Sequence, residues 1–334
     1  IVLNGGEYGL GVLGFARKVW KQDPRIVKAL EAEGGDWFAF ISKRKAHAER
    51  IIAEAVRKAV PDRDLYIYYT CAGGGHRNRW PGWKAWGFDY KYKHPVSDLP
   101  SDEHYVNHFN SGWRGKRDIL SMALNSAGVQ IALKKPLAYS WFWCKRREAD
   151  MGLYTGFLKC IYTLGTVGGN AGAYHQPDFH AGFKPEDPPY WMEQMIALSR
   201  VHALFTHLED DLRNGELVPG PFRHYWTHEN PAYELLPEEL ADQATERNGH
   251  KVLAMGRPVR VLARTHKTEP TCLVTAWAAD GKEQEVTVDV PGFGTVKLLA
   301  RPAGSVFRLT KADDGPQVQL LDKDPMLPSI SFQD

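Results

Sequence analysis

Several residues stand where their types and spacing could do chemistry. Glu7 lies in the run Asn4-Gly5-Gly6-Glu7-Tyr8-Gly9, just past a short apolar stretch. Glycines there let a substrate approach the backbone closely. A carboxyl group in a partly apolar setting has a raised pKa and can give its proton to a departing oxygen. A solvated glutamate on a turn is the plainer alternative. The segment from His76 to His94 mixes Arg77, Arg79, Lys84, Lys91 and Lys93 with a single acid, Asp89, and interleaves Trp80, Trp83 and Trp86. Indole faces stack on flat apolar rings, and guanidinium groups pair with sulfate or carboxylate through two parallel hydrogen bonds. An anionic polysaccharide uses both. Single-stranded nucleic acid uses the same mixture, and a lid packed on its own tryptophans with a solvated basic rim is the third reading. Asn107, His108, Trp113 and Arg114 form another polar and aromatic group, as do Trp141 with Trp143 and His175 with Gln176.

Other chemistries find no pattern here. The histidines do not fall in HExxH or another compact ligand spacing, so no catalytic metal is expected. Gly168-Gly169-Asn170-Ala171-Gly172 matches neither GxxxxGK[ST] nor GxGxxG, so no nucleotide cofactor is expected; flexibility or a close approach of sugar suits it better. Cys71, Cys144, Cys160 and Cys272 are too few and too scattered for a disulfide framework, contain no CxxC, and read as small buried hydrophobes.

These residues must be positioned by ordinary packed structure. Of 334 residues 43% are hydrophobic and 25% charged, which excludes a disordered chain. The net charge of +2 argues against a nucleic-acid partner, and no stretch approaches the roughly 20 apolar residues of a membrane span. Eleven tryptophans, many beside Gly, His and Arg, lean toward carbohydrate as the partner.

The apolar pattern places strands at Ile1–Asn4, Leu65–Tyr69, His104–Phe109 and Leu137–Trp143, and a weaker, glycine-broken one from Leu164 to His175. Helices alternate with them. One is capped by Asp36, carries Trp37, Phe40, Ile41, Ile51, Ala55 and Val56, and stops at Pro61. Others run from Lys116 to Ser126, through Leu153, Phe157 and Ile161, and from Pro188-Pro189 to Leu208. Five strand–helix repeats imply a parallel α/β sheet covered by helices. From Lys251 the texture changes. Val252–Ala254, Val259–Leu262, Cys272–Trp277, Gln284–Val288, Val296–Leu299 and Val306–Leu309 are short strands separated by Gly or Asp-Gly turns, the pattern of an antiparallel β-sandwich.

Asn4-Gly5-Gly6-Glu7 at the end of the opening strand, the strand count after it and the sandwich behind the last helix together resemble clan A glycoside hydrolases, polysaccharide-degrading enzymes of the agarase, carrageenase and β-galactosidase type. Gly6 stands where the clan carries Asn. The resemblance implies the last five units of a (β/α)8 TIM barrel in residues 1–245 and a sandwich in residues 246–334, with the first three strands supplied by a preceding segment or a second chain. It implies Glu7 as acid/base. In the clan the nucleophile ends the seventh strand; here that strand runs into Glu148, with Asp89, Asp102 and Asp178 as alternatives. The expectation is a glycoside hydrolase acting on a sulfated galactan, secreted or periplasmic. Expected substrate contacts are His76, Arg77, Arg79, Trp80, Trp83, Trp86, Asn107, His108, Trp113, Trp141, Trp143 and His175. A noncatalytic carbohydrate-binding protein, or a lyase or transferase on the same fold, are the alternatives.

Overall fold

The computed structural model describes residues 2–4, 19–69, 90–105, 138–143, 151–165, 168–173, 190–220, 244–247, 250–253 and 258–322, with shorter stretches at 120, 123–124, 127, 131, 133–135 and 235. Five strands, β1 (Val2–Asn4), β2 (Tyr66–Tyr69), β3 (Leu99–Tyr105), β4 (Ala138–Trp143) and β5 (Gly168–Ala173), form one sheet in that order, and every pairing is parallel. The order follows the sequence without reversal, so this sheet has no topological switch point of the doubly wound kind.

Two strands differ from the expectation. β3 begins at Leu99 and ends at Tyr105, earlier than His104–Phe109. Leu99-Pro100-Ser101-Asp102-Glu103 is polar and holds a proline, so it reads as loop; hydrogen bonds settle it instead. Ser97 Oγ accepts from Ile67 N at 3.0 Å and donates to Leu65 O at 2.9 Å, while Asp98 Oδ2 accepts from Leu65 N at 2.9 Å. These side chains tie the start of β3 to β2 whatever the apolar pattern. β5 is confined to Gly168–Ala173; Leu164, fully buried, belongs instead to the turn that ends the preceding helix.

Helix α1 (Pro24–Ala32) is absent from the sequence pattern. Asp23 caps it by accepting from Arg25 N at 2.9 Å, and Pro24 sits where a missing N–H costs nothing. Helix α2 (Trp37–Ala59) starts as expected: Asp36 Oδ1 accepts from Ala39 N at 3.2 Å. Trp37, Phe40 and Ile41 pack against Ile26, Ala29 and Leu30 of α1. Farther along the apolar pattern misleads. Ile51 is 57% exposed, and the buried positions are Ser42, Lys45, Ala46 and Ala53. Helix α3 (Tyr90–Lys93) and a 3₁₀ turn (His94–Val96) pack on α2. Leu120, Ala123, Leu124 and Ala127 are helical and buried; Ala127 and Ile131, also helical, lie past the expected stop at Ser126.

Helix α4 (Met151–Thr163) crosses from β4 to β5, and α5 (Tyr190–Thr206) follows β5. α4 is buried from Leu153 to Ile161 on all sides. A helix between two layers has no solvent face, and its second layer is the antiparallel unit. That unit's main sheet has the order β14 (Gly315–Leu320), β13 (Ser305–Ala312), β10 (Thr271–Ala278), β9 (Val259–His266), β6 (Gly215–Leu217). A hairpin of β11 (Gln284–Val290) and β12 (Gly294–Ala300) covers its outer face. A second hairpin, β7 (Ala244–Arg247) with β8 (His250–Leu253), takes most of the expected strand Val252–Ala254 out of this sheet. β6, brought in by the short helix α6 (Glu209–Arg213), and β14 were not anticipated.

β10 is buried on both faces for a simple reason. Leu273 and Trp277 face α4 and α5, while Cys272, Val274 and Ala276 alternate toward Val286, Val288, Val296 and Leu298 of the hairpin. The joint between α4 and this sheet is tight. Gly156 lets Trp277 lie directly on the helix, where Trp277 Nε1 donates to Pro302 O at 3.0 Å; a Cβ at 156 would overlap the indole. Buried Lys159 donates to Gly304 O at 2.9 Å and to Asp322 Oδ2 at 2.5 Å. Thr163 and Thr275 hydroxyls meet at 2.5 Å. Arg264 of β9 donates to Leu164 O at 3.0 Å, past the end of α4, and to Leu212 O at 3.0 Å in α6, so one guanidinium caps two helix C-termini.

Candidate functional site

In the sequence most of the expected site residues follow the carboxyl end of a parallel strand. Glu7 comes after β1 at Asn4, and His76, Arg77, Arg79, Trp80, Trp83 and Trp86 come after β2 at Tyr69. Asn107, His108 and Trp113 come after β3 at Tyr105, Glu148 after β4 at Trp143, and His175 after β5 at Ala173. All of these lie outside the described residues, as do Asp89 and Asp178. Trp141 and Trp143 are placed by backbone only, in β4 beside Ala171 and Ala173 of β5. Asp102, which precedes the expected strand His104–Phe109, is inside β3 and pairs with Tyr69 and Tyr139.

The register defines levels across the sheet. Asn4 pairs with Tyr68, Tyr68 with Ser101, Ser101 with Ala138 and Ala138 with Gly168. Two residues toward the carboxyl end, Glu103 pairs with Ser140 and Ser140 with Asn170. Sequence reasoning missed Glu103 because it fell before the expected strand; the stretch Ser101-Asp102-Glu103 read as loop. Among the described residues β3 pairs with β2 through Leu99–Asp102 and with β4 through Ser101–Tyr105.

Among the described residues three polar clusters stand out, two of them buried. In the first, Lys93 of α3, fully buried, donates to Glu49 Oε1 of α2, and Glu49 Oε2 is buried without a hydrogen-bond partner. Lys45, 2% exposed, is one turn away on α2. Burial first, and Lys93 second, bring the Lys45 ammonium down to about 7, with Glu49 opposing; burial also lowers Lys93 and raises Glu49.

In the second, Asp210, His266 and Glu269 approach closely enough to hold an ion. The hydrogen bonds oppose this. His266 Nδ1 accepts from Glu269 N at 2.9 Å, which leaves the ring proton on Nε2, and Nε2 faces Asp210 Oδ2 at 3.2 Å. A metal on Nε2 needs a proton on Nδ1, which already faces a backbone N–H. The cluster closes a turn. The third cluster, Lys159 with Asp322 and Arg301, is wholly enclosed and joins α4 to the antiparallel unit.

Cys272 is buried, and desolvation pushes its thiol up to about 12, which makes it inert; Cys160 is also buried. Cys71 and Cys144 lie outside the described residues. A groove of about 400 Å³ runs between β12 and the β13–β14 turn, past Lys297, Asp314 and Gln317, with no aromatic residue in its lining. No helix among the described residues is long and apolar enough to cross a membrane.

No family model matches this chain, and none of the curated proteins matches it. Solved structures give a faint likeness. A noncanonic maltogenic alpha-amylase, AmyB from Thermotoga neapolitana, aligns over 81% of this chain and 58% of its own length, at 10% identity and a TM-score of 0.41. The chain therefore spans less than two thirds of that protein. A likeness of this size fixes neither fold nor activity, and the functional reading rests on the chain's own residues.

Proposed function

We propose that this chain is the carboxyl-terminal part of a (β/α)8 glycoside hydrolase acting on a polysaccharide, with a sulfated galactan as substrate. The observation that carries the reading is the parallel sheet in sequence order, each of whose five strands is followed by one of the acid, aromatic or basic segments named above. In a barrel that side carries the active site. Residues 1–245 form the barrel part and 246–334 the sandwich, which takes β6 from the barrel part as one edge strand. The protein acts outside the cytoplasm, where such polymers are met.

In this reading Glu7 gives its proton to the leaving oxygen, a second carboxylate acts at the anomeric carbon, and Trp80, Trp83 and Trp86 hold successive sugar rings while Arg77 and Arg79 pair with sulfates. The test is release of reducing ends from carrageenan. Wild type should release them, and Glu7→Gln should lower turnover by a factor of about 10²–10⁴ with carrageenan binding retained. Equal turnover in the variant removes Glu7 from the mechanism. A noncatalytic glycan-binding protein is the second reading, favoured by β4, which holds no acid anywhere in Ala138–Trp143. Tight binding without any release by wild type decides for it.

A further inference from the structure

The proposed reaction leaves one set of buried ionic groups unused: Lys45 and Glu49 on α2, with Lys93 on α3. Lys45 is 2% exposed and Lys93 is fully buried. Lys93 donates to Glu49 Oε1, while Glu49 Oε2 is buried without a hydrogen-bond partner. Lys45 precedes Glu49 by four residues and so lies on the same side of the helix. Among the described residues two ammonium groups thus share one carboxylate in a dry site. With Lys45 neutral, Lys93 and Glu49 form a balanced pair. With Lys45 protonated, a second ammonium group stands near Lys93, and burial makes that repulsion costly.

The two elements that meet here are unequal. α2 has 23 residues and α3 has four. Beyond α3 the chain is pinned. Arg57 donates to Val96 O at 2.8 Å and to Asp98 Oδ1 at 3.0 Å, and Asp98 Oδ2 accepts from Leu65 N at 2.9 Å. Between α3 and that anchor lies Pro95, which is exposed. α3 rests on α2 through the Lys93–Glu49 pair, and Lys43 Nζ lies 5.7 Å from the centroid of the Tyr92 ring. Swinging α3 outward about Pro95 carries Lys93 to water and leaves the anchor at Val96 and Asp98 in place.

We propose that α3 is a pH-sensitive latch: when Lys45 takes up a proton, the second ammonium group drives α3 and its Lys93 off α2. The other charged groups of these elements are matched elsewhere. Lys43 and Arg44 pair with Glu33, and Arg57 pairs with Asp98. Among the described residues Glu49 and Lys93 are the charged groups that act on Lys45.

The direction follows from proton counting. With α3 docked, burial first and Lys93 second bring the Lys45 ammonium down to about 7; released, it returns toward 10.5. Between those values the released state holds one proton more. Docking therefore strengthens as pH rises from about 7 to about 10.5, and this contribution is flat below 7. Lys93, lowered by burial, steepens the rise, and the raised carboxyl of Glu49 opposes it.

Hydrogen exchange of the full chain at pH 7, 8 and 9, read by mass spectrometry and corrected for the intrinsic pH dependence of exchange, tests the latch. The opening of residues 90–96 should exceed that of β2 at pH 7 and fall about tenfold per pH unit, one proton for each opening. Lys45→Met keeps a helix-forming side chain and removes the charge; its opening should not change with pH. Glu49→Gln removes the carboxylate that holds Lys93 and should leave residues 90–96 open at all three values. If Lys45→Met does not melt cooperatively, Lys45→Gln takes its place with the same expectation. Equal opening at pH 7 and 9 in wild type overturns the latch. So does opening no greater than that of β2, because the whole fold then opens at once. A fall that persists in the Lys45 variant overturns Lys45 as the switch. None of these readouts involves glycan cleavage, so failure of the proposed function leaves the test intact.

Discussion

Lys45 should make the stability of the fold depend on pH in a window where most proteins are flat. In the folded chain burial holds its ammonium near 7, against 10.5 in the unfolded chain. Between those values the unfolded chain carries a proton on Lys45 that the folded chain lacks. Stability therefore rises with pH from about 7 to about 10.5, and this contribution levels off below 7, where both states are protonated. The slope is at most about 1.4 kcal/mol per pH unit, or on the order of 5 kcal/mol over the whole window. Lys93 shifts in the same direction and adds to the slope, whereas the raised Glu49 carboxyl acts in the opposite sense. Lys45→Met keeps an unbranched helix-forming side chain and removes the titrating group. Urea unfolding at pH 7, 8 and 9, followed by tryptophan fluorescence, should give wild type a steeper rise than Lys45→Met by about 1 kcal/mol per pH unit. Two parallel lines would show that Lys45 keeps an ordinary pKa, and the buried cluster of Lys45, Glu49 and Lys93 would need another explanation.

Gly156→Ala drives a methyl into Trp277 and should cost about 1–3 kcal/mol in chemical denaturation, with the fold otherwise kept. Lys159→Met leaves Asp322 with Arg301 as its cation among the described residues and should cost about 3–5 kcal/mol in chemical denaturation. Cys272 should resist a thiol reagent at pH 8 in native protein and react fully in urea, as read by mass spectrometry. Replacing Arg77 and Arg79 together by Ala should weaken carrageenan binding far more than binding of its desulfated form, whereas Trp83→Ala should weaken both alike. Equal losses in the double Arg variant would remove the sulfated substrate and leave a neutral glycan in its place.

What the sequence made legible followed the burial pattern. β2, β4, α4, α5 and most of the antiparallel unit are runs whose apolar period matches the face they bury. β3 was displaced because backbone pairing, helped by Ser97 and Asp98, overrides a polar run containing Pro100. β6 and β14 are short or polar edge strands, completed by partners that no local window contains. The second half of α2 was misjudged because Lys45 and Glu49, ordinarily solvent residues, take core positions that Lys93 makes habitable from across the chain. Glu7, singled out by its glycines, lies outside the described residues. The pairing of Glu103 with Ser140 is not legible, since pairing between strands is not written in either strand alone.

The contact between Lys159 and Asp322 spans 163 residues of chain. A ribosome making this protein from its amino end therefore exposes α4 long before the residues that satisfy its buried ammonium group, or those that cover Gly156 and Phe157, have been synthesised. Chains dominated by such distant pairings fold slowly and are vulnerable while they wait. The strand–helix units through α4 cannot reach their final packing during translation, and the last step of folding is set by the arrival of β13, β14 and Asp322. A premature stop soon after α5 leaves the five parallel strands with the helix between β4 and β5 half uncovered, a species suited to a chaperone or a protease and not to a substrate.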